Sequence, residues 1–221
     1  MKWSEDLVKD IRSFSKKKDF DGRFIDDSDS PDTVVNFLTE EENKKLNSYG
    51  GPIEVSDCNR KNLEEQFLKI KDSCKSILEI GIGRNGPQSF CTVFFEHKNP
   101  ETKYVGIDIN DRSWVTDQGE EIYFLQGNSS DYEKNISIFK EKFGVESFDF
   151  IFIDGWHSIN QVLDDWEYTN LLNPKGVVGF HDVSKHPGPH VFIKNLDKDK
   201  WDVTENCCPD DWGIGFAQSK K

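Results

Sequence analysis

The residues able to do chemistry gather at the ends of short apolar runs. Ile77-Leu78-Glu79-Ile80 breaks into Gly81-Ile82-Gly83-Arg84-Asn85-Gly86, and a second run, Tyr104 to Ile107, ends in Asp108. A third, Phe148 to Ile153, ends in Asp154-Gly155-Trp156-His157, and a fourth, Val177 to Phe180, ends in His181-Asp182. Glycines after a buried strand let the backbone take positive φ and let a ligand approach closely. The amides opening a following helix offer donors to that ligand. The spacing Gly81-x-Gly83-x-x-Gly86 also satisfies the dinucleotide fingerprint, a weak signal alone. Glu79 narrows the choice, because a carboxylate beside the loop repels a pyrophosphate and suits a cationic ligand. Asp108 stands where an acid accepting from both hydroxyls of a ribose is expected, with a cap or turn role as the alternative, since Asn110 and Asp111 follow. Gly127-Asn128-Ser129 closes the run Ile122 to Leu125 and either reads the amino edge of an adenine or simply turns the chain.

Bringing these residues to one edge takes a particular order of elements. The apolar runs alternate with helical patterns: Leu63, Phe67, Leu68 and Ile70; Ser89, Phe90 and Val93; Ile136, Phe139 and Phe143; and Val162 to Leu172. Strands alternating with helices imply a parallel, doubly wound α/β sheet. Its ligands lie outside the carboxyl ends of the strands. Trp201–Thr204 and Gly213–Ala217 supply two last strands, making seven. Asn173-Pro174-Lys175-Gly176 reads as the turn closing the 162–172 helix, and His186-Pro187-Gly188-Pro189-His190 as a turn-rich loop near the same edge, whose His186 and His190 either line the mouth of the site or, the favoured reading, are plain loop residues. Residues 1–60 read as a short helical accessory segment, with Leu7, Val8, Ile11 and Phe14 at helical spacing and Thr39 to Glu42 as a capping box. Residues 61–221 form the main domain.

Asp154 and Asp182 end strands that are neighbours in such a sheet, about 4.8 Å apart. Two carboxylates that close repel, so either they share a cation or they serve as caps and loop hydrogen-bonders. Magnesium prefers oxygen ligands and keeps waters that substrate oxygens replace. A nitrogen from His181 admits manganese, iron or zinc more readily.

Composition bounds the partners. The 221 residues carry a formal net charge of −13. That field opposes nucleic-acid backbones, whose affinity comes largely from phosphate neutralisation, and anionic lipid. No apolar run reaches membrane-spanning length, and Met1 to Lys18 lacks the apolar core of a signal peptide. Five cysteines (Cys58, Cys74, Cys91, Cys207, Cys208) follow no disulfide-framework spacing. They read as ordinary thiols in a reducing cytoplasm. A homo-oligomer is compatible with all of this.

The glycine stretch with Glu79 resembles motif I of the class I S-adenosylmethionine-dependent methyltransferases, whose cofactor carries an ammonium and a sulfonium and no phosphate. Ile153-Asp154-Gly155-Trp156-His157 and Gly179-Phe180-His181-Asp182 resemble, over roughly 75–185, the metal-dependent O-methyltransferase group related to macrolide-sugar methyltransferases and cephalosporin-hydroxylase-like proteins. The resemblance implies a Rossmann-like class I methyltransferase fold. It implies S-adenosylmethionine bound by Glu79, Gly81, Gly83, Asn85, Asp108, Asn128, Ser129 and Asp154. It further implies a divalent cation, Mg2+ or Mn2+, on Asp154, His181 and Asp182, where His181 departs from the acid the group carries. His157 would be the catalytic base, with Asp154 beside it and His181 as its competitor. The expected reaction is methyl transfer to a hydroxyl of a small, sugar-like acceptor. The rivals are a nicotinamide-dependent sugar oxidoreductase, which lacks a recognisable Tyr-x-x-x-Lys pair here, and a non-catalytic nucleoside-binding module.

Overall fold

The structure, a computed structural model, describes residues 55–83, 89–184, 186–209 and 211–221. Asn85, Gly86 and the helices expected before residue 55 lie outside the described residues. In chain order the elements are α1 (Asp57–Leu68), β1 (Ser76–Ile80), α2 (Cys91–His97), β2 (Lys103–Asp108), β3 (Ile122–Gln126), α3 (Tyr132–Ile138), β4 (Phe148–Ile153), α4 (Ile159–Trp166), β5 (Leu172–His181), α5 (Pro187–Lys194), β6 (Trp201–Thr204) and β7 (Ile214–Ser219). The seven strands form one sheet in the order β3-β2-β1-β4-β5-β7-β6. β7 runs antiparallel to β5 and β6, and the other neighbours are parallel. The expected seven-stranded, mostly parallel sheet is therefore present.

Both faces of the sheet are covered, so alternate side chains of each strand enter different cores. Leu78, Ile80, Val105, Ile107, Ile151, Ile153, Val178 and Phe180 pack with residues of α4 and α5 on one face, around Trp166, Phe192 and Trp201. Ile77, Tyr104, Phe150, Phe152 and Val177 pack on the other with Leu63 and Phe67 of α1 and Phe94 of α2. Glu79, Asp108, Asp154 and His181 stand at even offsets from this second set. The strand period thus assigns all four to the α1/α2 side of the carboxyl edge.

Three local readings differ from the sequence expectation. Asn173 to Gly176 is not a separate turn but the start of β5, paired with β4 through a register shift between Phe148 and Phe150, with Lys175 at φ 62°. The bulge absorbs the turn-forming residues without ending the strand. His186 to His190 is not a loop either. It opens α5, with proline at the first helical positions, where no intrahelical N–H is required. Cys58 and Cys208 are not free thiols: they form a disulfide with Cα atoms 6.2 Å apart across 150 residues of sequence. The first turn of α1 lies against the loop before β7, a proximity that cysteine spacing cannot reveal. The expectation of a reducing compartment loses the support it took from five free cysteines. Among the described residues no helix is long and apolar enough to cross a membrane.

The ladder continues past the strand ends. Gly81 N donates to Ile107 O at 2.8 Å, Asp154 N to Ile80 O at 2.8 Å, and Gly127 N to Asp108 O at 2.9 Å. Gly81 sits at φ +84°, and a Cβ there would lie 2.2 Å from the Asp154 carbonyl oxygen. A side chain at 81 must therefore push the ends of β1 and β4 apart. Gly81→Ala is expected to cost about 2–3 kcal/mol of stability, combining positive-φ strain with overpacking. Urea unfolding measures this, and a midpoint equal to wild type would contradict the packing described.

Candidate active site at the carboxyl edge of the sheet

Glu79 is the least exposed of the candidate residues. Its period places it among the aromatic side chains of the α1/α2 core, where a carboxyl group needs a donor. Tyr104 supplies one, its hydroxyl donating to Glu79 Oε2. Oε1 is buried with no partner among the described residues. Burial, together with Asp154 and Asp108 nearby, holds the Glu79 carboxyl well above the usual carboxylate range despite the Tyr104 bond. A cationic ligand beside it would reverse that preference.

Asp108 works as a brace for the glycine loop. Its Oδ2 accepts from Ile82 N at 3.1 Å and from Arg112 Nε at 3.3 Å, and its Oδ1 from Asn110 N at 2.8 Å. A carboxylate has capacity for further donors beyond these. Asn128 Oδ1 accepts from Ser130 N at 3.0 Å, the turn geometry that was its alternative role. Ser129 Oγ accepts from Gln161 Nε2 at 3.0 Å, which ties the β3 end to α4.

The ends of β4 and β5 carry a compact cluster of acids and imidazoles. His181 Nδ1 lies 2.9 Å from Asp154 Oδ1 and 3.3 Å from Asp182 Oδ1, while His157 Nε2 lies 2.7 Å from Asp182 Oδ2. Burial opposes protonation of His181, but Asp182 and Asp154 outweigh it and hold the imidazole well above its ordinary range. Burial likewise opposes charge on Asp182, but His181 and His157 win and hold that carboxyl well below its ordinary value. For Asp154 burial dominates and the pKa is raised. For His157 burial again works against the charged ring, yet Asp182 and Asp154 raise its pKa. Asp182 adopts φ 62°, a left-handed conformation that Asp tolerates better than most residues. The chain needs it to turn out of β5 with both carboxyl oxygens toward histidines. Asp154, His181 and Asp182 offer one ligand atom each within 4.8 Å of one another, as do His157, Asp182 and His186.

Exposure separates the two histidines. The His181 side chain is 5% exposed and packs edge-on against Phe90, whereas His157 is 28% exposed at the mouth of the cluster. The 155–158 loop that carries His157 is pinned from two sides. Ser158 caps α4 through Gln161 N, and Gly188 N donates to His157 O at 2.9 Å.

Asn59 and Asp165 of this edge were not singled out by the sequence, and His186 was favoured as a plain loop residue. His186 is buried and stacks on His157 with ring centroids 3.8 Å apart and on Trp212 with centroids 5.6 Å apart. Asn59, in the first turn of α1, reaches His181 Nε2 at 3.1 Å. Asp165 of α4 is fully buried behind Gly155, accepting from Gln161 Nε2 at 2.9 Å. An acid at a buried position of an otherwise amphipathic helix was the one available signal for Asp165. Asn59 had none, whereas His186 had its place in the segment following β5. A recess of about 600 Å3 lies at the opposite edge, lined by Cys74, Lys75, Thr102 and Ser147, away from all these groups.

Comparison with known proteins adds to this geometry. Residues 78–183, from β1 through the His181-Asp182 pair, match the family model described as a methyltransferase domain. No curated protein sequence is significantly similar. Among solved structures, the MycE methyltransferase of the mycinamycin biosynthetic pathway, in complex with Mg, SAH and mycinamycin VI, is similar at 17% identity and TM-score 0.53, covering 72% of this chain and 48% of that one. The chain thus spans about half the length of MycE. An O-methyltransferase from Bacillus cereus in complex with SAH is similar at 20% identity and TM-score 0.56, covering 82% and 90%. The N-methyltransferase NodS from Bradyrhizobium japonicum is similar at 16% identity and TM-score 0.50, covering 85% and 100%. These likenesses, with the sheet order, show the class I Rossmann-like methyltransferase fold. They span O- and N-methyltransferases, so the acceptor atom must be argued from the site.

Burial lifts the Asp165 carboxyl to about 7. A carboxyl raised above its unfolded value, about 3.9, favours the native state fully below pH 4, and that contribution is lost as pH rises to 7. Asp165→Asn does not ionise. It is expected to exceed wild type in stability by up to about 4 kcal/mol above pH 7, from about 1.4 kcal/mol for each tenfold change in proton affinity. The gap should close toward pH 4. Urea unfolding at pH 4.5 and pH 8 checks this, and a pH-independent difference would show that folding does not raise the Asp165 pKa.

Proposed function

We propose that this chain transfers a methyl group from S-adenosylmethionine to a hydroxyl of a small polar acceptor, a sugar or glycoside. A divalent cation on Asp154, His181 and Asp182 assists, and His157 accepts the proton. The observation that carries this reading is convergence. One sheet edge holds a glycine loop braced by an acid, and next to it two carboxylates and an imidazole whose ligand atoms lie within 4.8 Å.

The residues present fit both groups. Glu79 Oε1, buried and without a partner among the described residues, suits an ammonium, and Gly81 and Gly83 hold the loop at positive φ, a conformation that favours glycine. Two carboxylates and one ring nitrogen suit Mg2+ or, because of the nitrogen, Mn2+. When bound, S-adenosylmethionine supplies an electrophilic methyl on sulfur and the cation lowers the pKa of the acceptor hydroxyl. Asp108, with Asn128 and Ser129 at the end of the next strand, would hold the nucleoside. His157 is the member of the cluster open enough to meet an acceptor, and Asp182 at 2.7 Å steadies the imidazolium formed when it takes the proton. His181 is closed in by Phe90, Asn59 and the two acids, which favours His157 over it as the base. Trp156, 44% exposed beside His157, offers an aromatic face to a sugar ring. The MycE structure, in complex with Mg, SAH and mycinamycin VI, supports pairing a cation with this cofactor on this fold.

Isothermal titration is expected to detect S-adenosylmethionine and its demethylated product, with NAD silent. Asp108→Ala should weaken that binding by about 1–3 kcal/mol. A folded protein that binds NAD and neither sulfur ligand would instead favour the oxidoreductase.

Chelator should abolish methyl transfer, and Mg2+ or Mn2+ should restore it. Asp154→Asn and Asp182→Asn should damage turnover far more than cofactor binding. His157→Ala should reduce turnover about 100-fold or more under saturating cofactor and metal. Full activity in excess chelator would remove the cation from the reading. Near-normal turnover of His157→Ala beside a dead His181→Ala would move the base to His181.

A further inference from the structure

The cluster has a neighbour on the far side of His181 that no part of the proposed reaction uses. Asn59 is fully buried, with Nδ2 3.1 Å from His181 Nε2. Its Oδ1 is buried and has no partner among the described residues. The backbone that carries it is tightly held. Asn59 N donates to the capping Ser56 Oγ at 3.2 Å, Cys58 is bonded to Cys208, and Asn62 Nδ2 donates to Cys58 O at 2.9 Å. Only the carboxamide remains adjustable, and a half-turn about its last torsion exchanges Nδ2 and Oδ1 in the same space.

The two orientations have opposite consequences for His181. With Nδ2 toward the ring, Nε2 accepts, so a neutral imidazole carries its proton on Nδ1, pointing at Asp154 and Asp182. A protonated Nδ1 has no lone pair for a metal ion. With Oδ1 toward the ring, Nε2–H donates to it, Nδ1 keeps its lone pair, and the buried oxygen gains its missing partner. Whenever Nδ1 is otherwise engaged the ring proton sits on Nε2, and Nδ2 facing it would set donor against donor, which favours this second arrangement. Histidine ligands generally need such a partner on the other nitrogen to fix tautomer and ring orientation.

We propose that Asn59 is a positioning residue for the cation site: its Oδ1 accepts the Nε2–H of His181 and so presents Nδ1 as a ligand atom to an ion shared with Asp154 and Asp182. This rests on the cation reading given above. Asn59 would then set which metals the site takes by committing it to one nitrogen and two carboxylates.

The test uses the full chain and Mn2+ or Zn2+ alone as probe, with affinity read by equilibrium dialysis and the His181 tautomer by 15N NMR of Zn2+-loaded protein. The expected tautomer carries its proton on Nε2. Asn59→Leu should lose about 10–100-fold in Mn2+ affinity. Asn59→Asp, the same shape with acceptors only, should bind within about threefold of wild type or tighter, which a purely structural role for the amide does not explain. Three results would overturn the proposal: wild-type affinity in Asn59→Leu, equal losses in the Asp and Leu variants, or a proton on Nδ1 in the loaded protein. If Asn59→Leu fails to fold, the Asp variant and the wild-type tautomer decide. The parent reading is separable from it. If wild type binds no Mn2+, or Asp154→Asn binds as well as wild type, the cation site falls and this role with it. If Asp154→Asn weakens binding while Asn59→Leu does not, the cation site stands and only Asn59 is released.

Discussion

Two carboxylates at the ends of neighbouring buried strands have to be neutralised, and the arrangement of this sheet edge follows from that need. Asp154 and Asp182 share the imidazole of His181, and Asp182 reaches His157 as well. Removing His181 would leave the Asp154 carboxylate without the imidazole it contacts, a far costlier state than the intact cluster. The backbone is shaped to make the cluster possible. Asp182 takes a left-handed turn, the Asp154 carbonyl lies where only glycine at 81 leaves room, and Gly188 lets α5 close on the His157 loop. A divalent cation would answer the same electrostatic demand.

The glycine-loop end and the acid–imidazole end are parts of one electrostatic system. Glu79 feels both Asp154 and Asp108, each of which raises its pKa. An ammonium placed against Glu79 would therefore favour ionised carboxylates across the edge, and a cation on Asp154 would ease the ionisation of Glu79. The strand period builds this coupling into the fold, since it points Glu79, Asp108, Asp154 and His181 to the same side of the sheet. Tyr104 and Phe90, which touch Glu79 and His181, join that edge to the aromatic core beneath α1 and α2.

α1 links the core to the chemistry in another way. Leu63 and Phe67 anchor it in the core, Arg60 reaches Glu96 of α2 at 2.9 Å, and the Cys58–Cys208 bond ties its first turn to the segment before β7. A crosslink closing so long a loop restricts the unfolded chain strongly. Here it also keeps Asn59 within reach of His181, so a contact that looks like scaffolding lies one side chain from the acid–imidazole cluster.

The sequence by itself determined the sheet and most of the groups gathered at its carboxyl edge. Runs such as Ile77–Ile80 and Phe148–Ile153 are too apolar for anything but buried parallel strands, and the groups that end them must meet at one edge because parallel strands end together. Glu79, Asp108, Asp154, His157, His181 and Asp182 were legible for that reason. Tertiary structure alone decided the rest. Asn59 lies 122 residues from His181, and Cys58 lies 150 from Cys208. His186 was expected near the edge, but its stacking on His157 follows from α5 starting where a loop was expected. Period and spacing encode the direction of a side chain within its own element. Which helix face arrives opposite it is set by how the elements pack, and no local pattern records that.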